Sequence, residues 1–110
     1  MRPYILNTTD ASGGAKTSAV APLDIHGRPE VSLQAQVTGT ATYTIEQTLD
    51  DVFDASITPV WFSHPDTTLV NATTSLQGNY AYIPRAVRLR QTAGTGSVKL
   101  TIIQVGDNRA

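Results

Sequence analysis

The 110-residue chain contains no cysteine. Disulfide staples, thiolate catalysis, iron–sulfur clusters and cysteine-ligated zinc are therefore excluded. The fold must rest on packing, or on assembly with partners. Charge is also scarce: 15% of the residues are charged, against a usual ~25%. The formal net charge is -1, which argues against nucleic acid or an anionic membrane being held through bulk charge. No apolar run reaches the ~18–20 residues of a membrane span. The opening sequence MRPYILNTTD lacks the apolar core of a secretory signal, so export by that route is not expected. The N-x-T sequons at Asn7 and Asn71 then carry no weight. No stretch repeats apolar residues with a 3.6-residue period, so no long helix is expected.

What the chain has in excess is threonine, sixteen in all. β-Branched side chains fit the pleat of a strand. The length suits one domain with one modest core.

Residues 1–30 read as an extended arm. Asp10–Lys16 is small and glycine-rich, and Pro3, Pro22 and Pro29 punctuate the segment. Tyr4, Ile5 and Leu6 form one candidate strand and Val20–Ile25 another. An ordered arm of this kind needs something to lie on, either its own domain or a neighbouring subunit.

Residues 31–110 read as a β-sandwich. Val31, Leu33, Ala35 and Val37 alternate with Ser32, Gln34 and Gln36, the pattern of a half-buried strand. After a turn at Thr38-Gly39, Ala41, Tyr43 and Ile45 alternate with threonines within hairpin distance. Leu49–Ser56 breaks the period and reads as a loop with aspartate capping. Ile57–Phe62 carries Pro59 and reads as an edge strand or bulge, with Trp61 as a core anchor. His64-Pro65-Asp66 is a turn and Thr68–Thr74 a weak edge strand. Tyr80–Ile83 is a strand stopped by Pro84. Arg85–Thr92 and Ser97–Val105 read as a hairpin across the glycine-rich turn 93–96. Short strands with turn signals every 8–12 residues predict an all-β fold: a single antiparallel two-sheet sandwich, jelly-roll-like or immunoglobulin-like, with an extended N-terminal arm.

Four groups of residues are candidates for chemistry. Glu46, Asp50, Asp51 and Asp54 crowd nine residues; their spacing does not match an EF-hand loop, so loop capping is the expected role, with a Ca²⁺ site as the alternative. Arg85, Arg88 and Arg90 form a basic row, with Arg88 and Arg90 on one strand face about 6.6–6.8 Å apart. Pairing with the acidic segment, within or between subunits, is the expected use. His26 and His64 lack further ligands in sequence, and His64 reads as a turn residue. Tyr4, Tyr43, Phe53, Trp61, Phe62, Tyr80 and Tyr82 read as core or subunit contacts, with Tyr80 and Tyr82 on one face. No serine sits in a nucleophile elbow, and Gly94-Thr95-Gly96 is a turn rather than a phosphate loop.

The segments ATYTIEQTLDDVFD, ITPVWFSHP, NYAYIPRAVRLR and GTGSVKLTIIQ lie within a stretch of about residues 38–104. Together they resemble small virion proteins encoded among the head genes of tailed bacteriophages. The resemblance implies a capsid-associated part: a head decoration or cement protein, or a head-to-tail or tail component. It implies no catalytic residue and no cofactor. The partners it implies are the major capsid protein, other virion subunits and further copies of the chain, with no membrane and no direct nucleic acid. The expected location is the virion, assembled in the host cytoplasm. Contacts are expected at Tyr4, Ile5 and Leu6 of the arm, at Asp50, Asp51 and Asp54, and at Arg88 and Arg90. The competing expectation is a carbohydrate- or receptor-binding sandwich, in which Tyr80, Tyr82 and Trp61 are exposed stacking residues.

Overall fold

A computed structural model of the chain describes residues 4–23, 31–80 and 84–104. Strands account for most of them: β1 (Tyr4–Thr9), β2 (Lys16–Thr17), β3 (Ala21–Pro22), β4 (Val31–Thr38), β5 (Thr42–Thr48), β6 (Phe62–Ser63), β7 (Leu76–Tyr80), β8 (Ala86–Ala93) and β9 (Ser97–Gln104). One sheet has the order β1-β9-β4-β7 and the other β2-β8-β5-β6, with β3 also on β8. Every ladder is antiparallel. The alternation of β4 and β9 puts Val31, Leu33, Ala35, Val98, Leu100 and Ile102 inside, facing Tyr43, Ile45, Val87 and Leu89 of the other sheet. Burying each of these valine, leucine and isoleucine side chains is worth about 1.5–3 kcal/mol.

The pairing has a simple logic. β1 with β9, β2 and β3 with β8, β4 with β7, and β5 with β6 are successive rungs of one long hairpin. Its tip lies between β5 and β6. Rolling that ribbon on itself makes the two remaining ladders, β4 with β9 and β5 with β8. This is the jelly-roll double sheet. The expected antiparallel sandwich is present, and its topology is the jelly roll rather than the immunoglobulin one.

Two expected hairpins do not form. β4 and β5 lie in different sheets, and so do β8 and β9. Alternation specifies which face of a strand is buried, not which strand pairs with it. The connections at 39–41 and 94–96 are corners that carry the chain across the core. They pack against each other: the Gly96 amide donates to the Thr40 carbonyl at 2.8 Å. A Cβ at Gly94 or Gly96 would collide with the carbonyl of Thr40 or Thr38, respectively. Gly94 also holds a φ of 99°, in the left-handed region.

Three smaller differences matter for the site. Of the apolar Ile57–Phe62 run, only Phe62 is in a strand, and Trp61 is half-buried rather than a core anchor. The Thr68–Thr74 segment is not a strand. It begins with a 3₁₀ turn at Thr67–Leu69, capped by the Asp66 side chain, and meets β5 only through an Ala72–Tyr43 bridge. Residues 4–23 of the expected arm lie on the chain's own sheets, through β1 on β9 and β2 and β3 on β8. Asp24, Ile25, His26, Tyr82 and Val105, each part of an expectation above, lie outside the described residues. Among the described residues no helix is long and apolar enough to cross a membrane.

Candidate protein-contact surface

The tip of the rolled ribbon is the 49–61 loop, and its aspartates build it. Asp50 Oδ2 accepts from the Val60 amide at 2.7 Å, closing ten residues of chain. Asp51 Oδ1 accepts from the Phe53 amide. Asp54 Oδ1 accepts from both the amide and the hydroxyl of Ser56, and these bonds hold its carboxyl below the usual carboxylate value. Thr48 Oγ1 accepts from the Asp50 amide. The Arg85 guanidinium, 3.4 Å from Asp51, ties the loop to the start of β8. Asp50, Asp51 and Asp54 therefore act as side-chain acceptors for the loop's own backbone, the role that short acidic side chains fill in turns.

A loop anchored in this way presents its apolar side chains to solvent. Leu49 is 68% exposed, Phe53 78%, Val60 57% and Phe62 63%, and Ile57 is exposed as well. Leu49, Val60 and Phe62 together line a pocket of about 200 Å³ beside Gln47 and Asp50. The sequence expectation had Phe53 and Phe62 as core or subunit contacts; their exposure alongside Leu49 and Val60 as a crest on one loop was not part of it. The crest's one sequence signal is a set of large apolar residues without period, interleaved with aspartates that turn out to be occupied by backbone amides. Exposed large apolar side chains gathered on one loop of a small domain make it a candidate contact site.

The outer face of β5 and β8 carries the charged residues. Glu46 is buried and accepts from Arg88 Nε at 2.7 Å, with Arg90 3.9 Å from its other oxygen. The Arg88 guanidinium also lies over the Trp61 ring, 4.4 Å from its centroid. The acidic and basic segments thus meet within one chain. Arg88 is largely occupied, while Arg90 keeps the more exposed side chain of the two.

Asp50, Asp51, Asp54 and Arg88 accordingly gather around the β5–β6 tip and its flank, with Arg90 next along β8. The other expected contacts do not join them. Tyr4 and Ile5 are exposed on β1, in the other sheet. Leu6 is a correction: it is only 6% exposed, because β1 turns Leu6 and Thr8 inward. Tyr80 is a second correction to the stacking expectation. It is buried, donates its hydroxyl to Gln47 Oε1 at 2.8 Å and packs 4.4 Å from the His64 ring.

His64 is more than a turn residue. Its backbone amide extends the β5 ladder by donating to Ile45. Its Nδ1 accepts from the Asp66 amide, so Nε2 carries the proton and donates to the Asn79 carbonyl at 2.9 Å. The ring joins the HPD turn to β7, and burial holds its pKa below the usual value. Among the described residues, no group of three or more His, Asp or Glu side chains is placed to hold a metal ion. No protein-family model matches the chain, and no curated protein matches it.

Proposed function

We propose that the chain is a non-enzymatic virion structural protein of a tailed bacteriophage, a head decoration or cement protein that stabilises the capsid. Its partners are the major capsid protein, other virion subunits and copies of itself, with no membrane or nucleic acid involved. The observation that carries this reading is the apolar crest of Leu49, Phe53, Val60 and Phe62 on a loop braced by three aspartates. A braced crest loses little conformational entropy on docking, so its apolar area converts to affinity efficiently. Repetition over a shell then multiplies a modest single-site affinity. The jelly roll supports the reading by analogy, since viral capsid and lectin domains share it. A cysteine-free chain suits assembly in a reducing host cytoplasm.

The test is binding of the purified chain to phage heads that lack it. The wild type binds in hundreds of copies per head, and the Phe53→Ser/Phe62→Ser double variant loses binding while its melting curve stays in place. A dozen copies or fewer would move the protein to a vertex, connector or tail. No binding at all would overturn the reading.

A second reading has its own observation. The solvent face of β4, β7 and β9 forms a shallow groove lined by Ser32, Gln34, Gln77, Asn79, Thr101 and Ile103. Apart from Ile103, which adds an apolar surface, its side chains are uncharged amides and hydroxyls, suited to the hydroxyls and apolar face of a sugar. A glycan panel in which the wild type binds and Gln34→Ala/Gln77→Ala does not would favour a receptor-binding role on the tail.

A further inference from the structure

Exposed sheet edges are templates for another strand, and proteins blunt them with short strands, charges, prolines or covering groups. The second sheet has blunt edges here. β6 is two residues long, and the opposite edge is split into β2 and β3, two residues each, with Pro22 in the latter. In the first sheet, β7 has its Asn79 carbonyl occupied by His64. Among the described residues β1 has none of these devices. It runs six residues as YILNTT, without charge, proline or bulge, and its unbroken register with β9 is its one ladder among the described residues.

The direction of its free groups follows from one bond. The Asp10 amide donates to the Gly96 carbonyl, continuing the Thr9↔Ser97 register by one step. In an antiparallel ladder the N–H and C=O of a residue point to the same neighbour and alternate along the strand. Tyr4, Leu6 and Thr8 therefore bond to β9. Ile5, Asn7 and Thr9 aim their amides and carbonyls away from the sheet, and among the described residues nothing meets them.

These free groups are self-complementary. A continuous sheet across a two-fold axis must set like faces opposite each other, so residues of equal parity face one another. With the axis at Asn7, Asn7 faces Asn7 of the second copy, and Ile5 faces Thr9. Every free amide and carbonyl of the three residues then finds a partner. Moving the axis to Leu6 would carry the position opposite Thr9 past Tyr4, the first residue of β1, and leave Thr9 without a strand partner. No charged side chains face each other in the Asn7 register. We propose that β1 joins two copies of this chain in that register, making one eight-stranded sheet of order β7-β4-β9-β1-β1-β9-β4-β7. The contact is small, so the dimer is weak in free solution and strengthens where copies are held side by side.

The test uses the absence of cysteine, so that each variant carries a single thiol. A hydrogen-bonded antiparallel pair has Cα atoms about 5.5 Å apart, within disulfide reach. Under mild oxidation Asn7→Cys cross-links to a species of twice 11.7 kDa. Ile5→Cys and Thr9→Cys do not cross-link alone, but a mixture of the two does. Asn7→Pro loses concentration-dependent association in light scattering while keeping the wild-type circular dichroism, because the Asn7 amide makes no bond among the described residues. Phe53→Ser/Phe62→Ser leaves the cross-linking unchanged, which separates this interface from the capsid-contact crest. Failure of Asn7→Cys to cross-link, or equal cross-linking by Ile5→Cys alone, would overturn the proposal.

Discussion

The side-chain amide of Gln91, fully buried on β8, lies 3.0 Å from the carbonyl oxygen of Gly96. The same nitrogen reaches the Gly94 carbonyl at 3.3 Å. Those two carbonyls also accept the backbone amides of Asp10 and Ala11. One buried glutamine thus secures the corner by which the chain leaves one sheet for the other, and ties it to the end of β1. Gln91→Leu removes the donor but also removes Oε1, which has no hydrogen-bond partner among the described residues. The expected net cost is about 1–2 kcal/mol, read from the midpoint of urea unfolding.

The glycines of that corner allow a cleaner contrast. Gly96→Ala forces a Cβ into the Thr38 carbonyl, and Gly94→Ala adds a left-handed φ to a clash with Thr40. Each is expected to lose about 2–4 kcal/mol. Gly13 has open space where its Cβ would go, so Gly13→Ala stays within about 0.5 kcal/mol of wild type. Chemical denaturation of the three variants in parallel checks the ranking.

Stability should depend on His64 in mildly acidic solution. Burial lowers its folded pKa from 6.5, outweighing the Asn79 carbonyl and the Asp66 carboxylate, which act the other way. The unfolded chain then binds more protons than the folded one as pH falls below about 6.5, so stability is full above that value and declines beneath it. Protonation would also place a hydrogen on Nδ1, facing the Asp66 amide. Melting temperatures between pH 7.5 and 5.5 are expected to fall for the wild type and to fall less for His64→Gln. The carboxyls of Asp10, Asp54 and Asp66 are held below 3.8 by their Ser and Thr partners. Their contribution is lost only in stronger acid.

Trp61 is the sole tryptophan, and it reports on Arg88. Arg88→Ala uncovers the indole face and leaves Glu46 with only the more distant Arg90. A red-shifted emission and a loss of about 1–3 kcal/mol are expected. Arg88→Lys should recover little of either, because an ammonium lacks the planar stack and the fork of donors. Fluorescence-monitored unfolding measures both quantities.

Alternation made the faces legible. Val31, Leu33 and Ala35 are inside, and Arg88 and Arg90 are outside, as their period requires. The acidic segment was legible as a capped loop, because short carboxylates compete for nearby amides. Leu6 and Trp61 were misplaced for opposite reasons. Leu6 looks like part of a tail until β9 supplies its ladder, and Trp61 looks like core until Arg88 takes its face. The crest was hidden because exposure of Phe53 and Phe62 depends on where the loop's ends are pinned, at Asp50 with Val60 and at Arg85 with Asp51.

Composition and period-two patterning by themselves determined an all-β sandwich with one core and no cysteine chemistry, since both follow from local geometry and residue type. Only the tertiary structure decided that the glycine turns cross between sheets, that the topology is a jelly roll, that the β5–β6 tip stands exposed, and that the outer edge of β1 has no neighbour among the described residues. A strand's own residues specify which side is buried, whereas its partner is chosen by contacts many residues away, which no local pattern encodes.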